Sequence, residues 1–124
     1  MDQFPTMVPG RRHDRLADQI RTEVAGMVEG ELKDPRIGFV TVTYVDLSPD
    51  FSHARVLVSV LGTEEERAES LAGLQSAAGY VRREITQRLR LRRSPEITFV
   101  LDRGAEEAAR IENLLTKLHP GESS

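Results

Sequence analysis

The chain has 124 residues, a formal net charge of −3 and an ordinary 39% share of hydrophobic residues, which together predict one soluble domain around a single small core. No apolar run reaches the roughly 18 residues that a membrane span requires, and the opening MDQFPTMVPG carries no apolar signal-peptide core. Cysteine is absent, which excludes disulfides and thiolate metal sites; the simplest compartment is the cytoplasm.

Residues 1–12 read as a flexible arm, with Pro5, Pro9 and Gly10 leading into Arg11 and Arg12. A domain is expected over 13–118, and the final HPGESS, 119–124, reads as a disordered tail. Leu16, Ile20, Val24, Met27 and Val28 recur at spacings of three and four, which predicts a first helix over 14–31 with Asp14 as its N-cap. Pro35 stops that helix within Lys33-Asp34-Pro35-Arg36-Ile37-Gly38. Residues 37–47 are β-branched and aromatic, and 53–61 alternate apolar with polar, which predicts two strands joined by Ser48-Pro49-Asp50 as an antiparallel hairpin.

Thr63 followed by Glu66 is a capping-box pattern that opens the second helical region. Its apolar stripe, Leu71, Leu74, Ala78, Val81, Ile85 and Leu89, keeps its phase across an expected break at Gly79. A third strand is expected over 96–102. A last helix is expected over 105–118, with Ala108, Ile111, Leu115 and Leu118 inward. The order α-β-β-α-α-β-α describes an α+β two-layer sandwich with a three-stranded sheet and helices on one face.

The catalytic signatures are missing. His13, His53 and His119 have no ligand spacing, and no phosphate loop, nucleophile elbow or Ser–His–carboxylate grouping occurs. Nothing favours an enzyme, a cofactor or a metal.

The charge distribution is more informative. Arg82, Arg83, Arg88, Arg90, Arg92 and Arg93 stand against one acid, Glu84, within twelve residues, and fifteen of the seventeen basic residues are arginine. Arginine's planar fork suits phosphate, and a polarised pattern can bind an anion while the total stays negative. At about 100° per residue, Arg83, Arg90 and Arg93 fall opposite the apolar stripe with Gly79, and Arg82 lies at the margin. A glycine there lets a polyanion backbone approach closely, and a restarted helix offers free N–H groups. The alternative is a bend over the sheet with solvated arginines outside. Lys33 and Arg36 carry the same two readings, a phosphate contact or a helix stop. Leu57, Leu61 and Phe99 suggest either a base-stacking sheet or ordinary core, and low aromatic content favours core.

KDPRIG at 33–38, Ala77-Ala78-Gly79-Tyr80, Arg90-Leu91-Arg92 with Pro95-Glu96-Ile97-Thr98-Phe99, and Ile111-Glu112-Asn113-Leu114-Leu115 together resemble the ribosome-binding factor A family, from about Arg11 to about Leu118. The resemblance implies a type II KH fold in which an Ala-x-Gly kink, here Ala77, Ala78 and Gly79, replaces the GxxG clamp of ordinary KH domains. It implies a non-enzymatic, monomeric factor that binds 16S rRNA in the free 30S subunit. It also implies a role in late maturation, including 5′-end processing, and in adaptation to cold. The expected RNA contacts are Gly79, Arg82, Arg83, Arg90 and Arg93, with Lys33, Arg36, Arg11 and Arg12 secondary. A protein-interaction module whose arginines meet an acidic protein is the alternative from another class.

Overall fold

A computed structural model describes residues 10–104. The expected last helix, the tail and residues 1–9 lie outside them. Six elements follow in the order α1 (Arg11–Gly30), β1 (Val40–Leu47), β2 (His53–Val60), α2 (Glu64–Ser76), α3 (Ala78–Arg88) and β3 (Glu96–Leu101).

Helix α1 starts at Arg11 behind an extended Gly10, whose carbonyl receives the Asp14 N–H at 3.1 Å. Arg11 and Arg12 therefore belong to its first turn and not to an arm, and Asp14 is not the N-cap. The helix buries Ile20, Val24 and Met27 and ends where both Glu31 and Leu32 donate to the Met27 carbonyl. Strand β1 begins at Val40, later than expected. Ile37 is committed to a turn with Asp34, and the Gly38 N–H is taken by the Ser70 hydroxyl, so these residues leave the ladder.

The strands form a sheet in the order β1-β2-β3, with β1 antiparallel and β3 parallel to β2. A bulge at Thr43 shifts the β1 register between Val42 and Tyr44. One face, carrying Val42, Val45, Leu47, Val56, Val58, Ile97 and Phe99, is buried with Leu74, Val81 and Ile85 of α2 and α3 and the α1 stripe. Phe99 is thus core, whereas Leu61 is 76% exposed and does not follow the core reading. The Thr63–Glu66 capping box forms in both directions. No helix among the described residues is long and apolar enough to cross a membrane.

Candidate nucleic-acid interface

The helical region breaks at Ala77, two residues before the expected point. Ala77 has φ −88° and ψ 0°, and its N–H is shared between the Gly73 and Leu74 carbonyls at 3.2 and 2.9 Å. Helix α3 restarts at Ala78, and Gly79 sits exposed in its first turn. Gly79 does not need left-handed backbone, and a Cβ there would meet only the Arg83 Nη1, at 3.7 Å. The glycine therefore does not cause the break. It leaves bare backbone on the surface, while Ala77 and Ala78 turn partly inward.

The KDPRIG loop is packed against the end of α2. The Ser70 hydroxyl accepts from the Gly38 N–H at 3.0 Å and donates to the Arg36 carbonyl at 3.2 Å. Buried Gly73 makes room for the loop, because a Cβ there would lie 2.9 Å from the Ile37 Cγ1. Arg36 Nη2 bonds the Asp34 carboxylate at 2.6 Å and the Ser76 hydroxyl at 3.1 Å. Hydrogen bonds from the Arg36 side chain and N–H hold the Asp34 carboxyl well below its ordinary value, at about 2. Lys33, Arg36 and the Ala77–Gly79 step are thereby brought to one end of the molecule. Sequence reasoning missed Ser70, Gly73 and Ser76. Small residues recurring every third position were the available signal.

Arg88, one of the six clustered arginines, is an internal tie. Its guanidinium reaches Glu31 at 2.8 Å, Glu84 at 2.9 Å and Glu23 at 3.3 Å. Tyr80 donates its hydroxyl to the same Glu31 at 2.8 Å, so α3 is strapped to the end of α1. Bonds from Arg88 and then Tyr80 lower the Glu31 carboxyl, and the negative partner raises the Tyr80 phenol.

The remaining arginines divide into two groups. Arg83 leans over Gly79 and is exposed. Arg82 is also exposed, but its Nε bonds the Ser94 hydroxyl and its Nη2 the Ser94 carbonyl, both at 3.0 Å, so it clasps the α3–β3 connection. Arg90 and Arg93 lie beyond α3, so the helical projection that put them on one face with Gly79 does not apply. Arg90 has φ 54°. It donates its N–H to Gln87 O at 3.2 Å while Leu91 donates to Thr86 O at 3.0 Å. This is a Schellman ending with arginine in the left-handed position usually given to glycine. Arg93 Nη1 meets the Asp50 carbonyl at 3.3 Å, beside the β1–β2 turn. The start of α1 reaches the same turn through His13, whose Nε2 lies 2.7 Å from the Leu47 carbonyl and whose ring packs on Phe51.

The result is two basic clusters. Lys33, Arg36, Gly79 and Arg83 gather at the break. Arg90, Arg92 and Arg93 lie at the other end of α3, with Arg11 and Arg12 near the turn they approach. An eleven-residue helix separates them by about 16 Å. Phe39, next to Gly38, is 79% exposed and was not foreseen as a contact. Among the described residues, no group of three or more His, Asp or Glu is placed to hold a metal ion.

A sequence model described as ribosome-binding factor A matches residues 12–115. The chain belongs to the ribosome-binding factor A family. A family member from Acaryochloris marina is 48% identical over 114 residues, covering 90% of this chain and 83% of the relative. One from Thermomicrobium roseum is 46% identical, covering 90% of this chain and 86% of the relative. Among solved structures, a Thermotoga maritima protein determined by NMR is 40% identical, with TM-score 0.68, covering 80% of this chain and 94% of its own. A Thermus thermophilus ribosome-binding factor A, fitted as a homology model into the cryo-EM map of a 30S complex, is 32% identical, with TM-score 0.59, covering 71% of this chain and 92% of its own. These family structures agree with the α+β, KH-like sandwich described above. The observed helix break falls within the Ala77-Ala78-Gly79 step.

Proposed function

We propose that this chain is a ribosome assembly factor that binds the small subunit through 16S rRNA. The two basic clusters hold phosphates at points about 16 Å apart, and the exposed Phe39 offers a ring for an unstacked base. The observation that carries the reading is Arg90. A non-glycine residue in the left-handed region costs free energy, and retained backbone strain concentrates at functional positions. What supports the partner is the Thermus thermophilus relative, whose complex is with the 30S subunit.

In this reading the factor acts stoichiometrically as a cytoplasmic monomer without catalysis. It binds the free subunit, holds an rRNA conformation during late maturation, including 5′-end processing, and leaves. Demand for it rises in the cold, where misfolded rRNA escapes slowly. In a density gradient the protein should travel with free small subunits and not with full ribosomes. Its affinity for them should fall steeply with salt as counterions are released. Travel with full ribosomes, or a salt-independent affinity, overturns the reading.

A further inference from the structure

Arg82, Thr86 and Ser94 close a ring of hydrogen bonds across the connection between α3 and β3. The Arg82 Nε donates to the Ser94 hydroxyl and its Nη2 to the Ser94 carbonyl, both at 3.0 Å. The Thr86 hydroxyl lies 2.8 Å from both the Arg82 carbonyl and the Ser94 hydroxyl. It has one hydrogen, and a carbonyl can only accept, so that hydrogen goes to Arg82. Ser94 then donates its own hydrogen to Thr86. Each hydroxyl thus accepts once and donates once, and the ring begins and ends on Arg82. A polar network with every member satisfied is rigid and holds one geometry.

The ring is needed neither to end the helix nor to start the strand. The helix already stops at the left-handed Arg90, where the Leu91 N–H closes onto the Thr86 carbonyl at 3.0 Å. The strand is already entered through the fully buried Pro95 and through the Glu96 N–H, which donates to the Ser52 carbonyl at 2.8 Å. Between these anchors Arg92 and Arg93 are exposed. Ser94 is a third fixed point, next to Arg93. It sets the path of the connection, and with it the placing of Arg92 and Arg93 beside Arg90, before any phosphate arrives. Ordering of this kind lowers the cost of binding, because less freedom is left to lose.

We infer that Arg82, Thr86 and Ser94 are positioning residues for the second basic cluster: they preorganise Arg92 and Arg93 for phosphates instead of meeting the RNA themselves. Arg82 thereby moves from an expected contact to a support. What the cluster holds rests on the rRNA reading; how the cluster is held rests on the ring alone.

The test opens the ring and keeps every charge. In full-length Ser94→Ala, backbone NMR order parameters of residues 91–94 should fall while those of α3 and β3 stay at the parent's values. Affinity for purified small subunits, read by co-sedimentation, should fall on the order of tenfold, the cost of ordering one or two freed arginine side chains. Ser94→Thr keeps the hydroxyl and should restore the parent's affinity. Arg82→Lys keeps the charge, but one ammonium replaces the fork that spans both Ser94 oxygens, so it should repeat the loss. It carries the test if Ser94→Ala does not fold. Order parameters unchanged in Ser94→Ala and Arg82→Lys overturn the inference. So does a loosened connection that binds with the parent's affinity; the rRNA reading then stands, because the parent still binds. A parent that does not sediment with small subunits overturns that reading and the inference with it.

Discussion

Arg36 Nη2 donates to the Ser76 hydroxyl at 3.1 Å and so ties the loop after α1 to the last residue of α2, one position before the helix break. Asp34 holds the other side of the same guanidinium. Arg36 is therefore a brace for the basic end as much as a candidate contact, and Lys33 and Arg83 are its more available charges.

Two glycines on this region should respond oppositely to alanine. Gly73→Ala forces a Cβ to within 2.9 Å of the Ile37 Cγ1, and overpacking of this kind costs about 1 to 3 kcal/mol. Gly79→Ala meets only an ordinary contact with the Arg83 Nη1 at 3.7 Å and should gain up to about 1 kcal/mol from helix propensity. It should nevertheless weaken small-subunit binding, because the bare surface is lost. Thermal unfolding and co-sedimentation of the two variants check both expectations.

Arg90→Gly should separate stability from binding. Glycine adopts the left-handed ending without the Cβ penalty, a gain of about 1 kcal/mol. Affinity for the small subunit should fall, because the charge is gone. A variant that is less stable, or that binds as well as the parent, contradicts the role given to this residue.

Arg88→Gln should lower the melting temperature without removing any RNA contact, since it leaves Glu23, Glu31 and Glu84 facing one another. The loss should shrink at high salt, which screens the repulsion. Salt titration of the melting temperature measures this.

The loop and the hairpin turn should share an acid transition. Asp34 and Asp50 are each lowered from 3.8 to about 2, Asp34 chiefly by the Arg36 side chain and Asp50 chiefly by the Ser52 hydroxyl. A depressed carboxylate contributes stability that is fully present above its unfolded value and is lost as pH falls through its folded value. Both contributions should therefore hold at neutral pH, decline below about pH 4 and be gone below about pH 2. Carboxyl chemical shifts of Asp34 and Asp50 across that range test this, and Asp34→Asn should abolish the loop's share.

The fold was legible because its cues are local. Period-two alternation in 53–61, the Thr63–Glu66 box and the stripe from Leu71 to Leu89 each specify one element and agree with one another. The candidate site was legible as a set of residues but not as a geometry. The helical phase does not stop at Arg88 in the sequence, because nothing local marks a Schellman ending when arginine stands in the glycine position. Glycine propensity points to a break at Gly79, whereas the backbone breaks at Ala77, whose N–H is shared between the Gly73 and Leu74 carbonyls. Ser70, Gly73 and Ser76 are unremarkable until the loop from another part of the chain is packed against them. The exposure of Phe39 likewise depends on Gly38 leaving the ladder for Ser70.

The central claim is that basic residues at both ends of α3 hold rRNA. Co-sedimentation of Lys33→Glu/Arg83→Glu/Arg90→Glu with purified small subunits tests it most directly, because these three side chains form no ion pair among the described residues. Arg82 is left in place to keep its clasp on Ser94. The account predicts a variant with the parent's circular dichroism and melting temperature that no longer sediments with the subunit. A folded variant that still sediments with it at the parent's affinity would contradict the account.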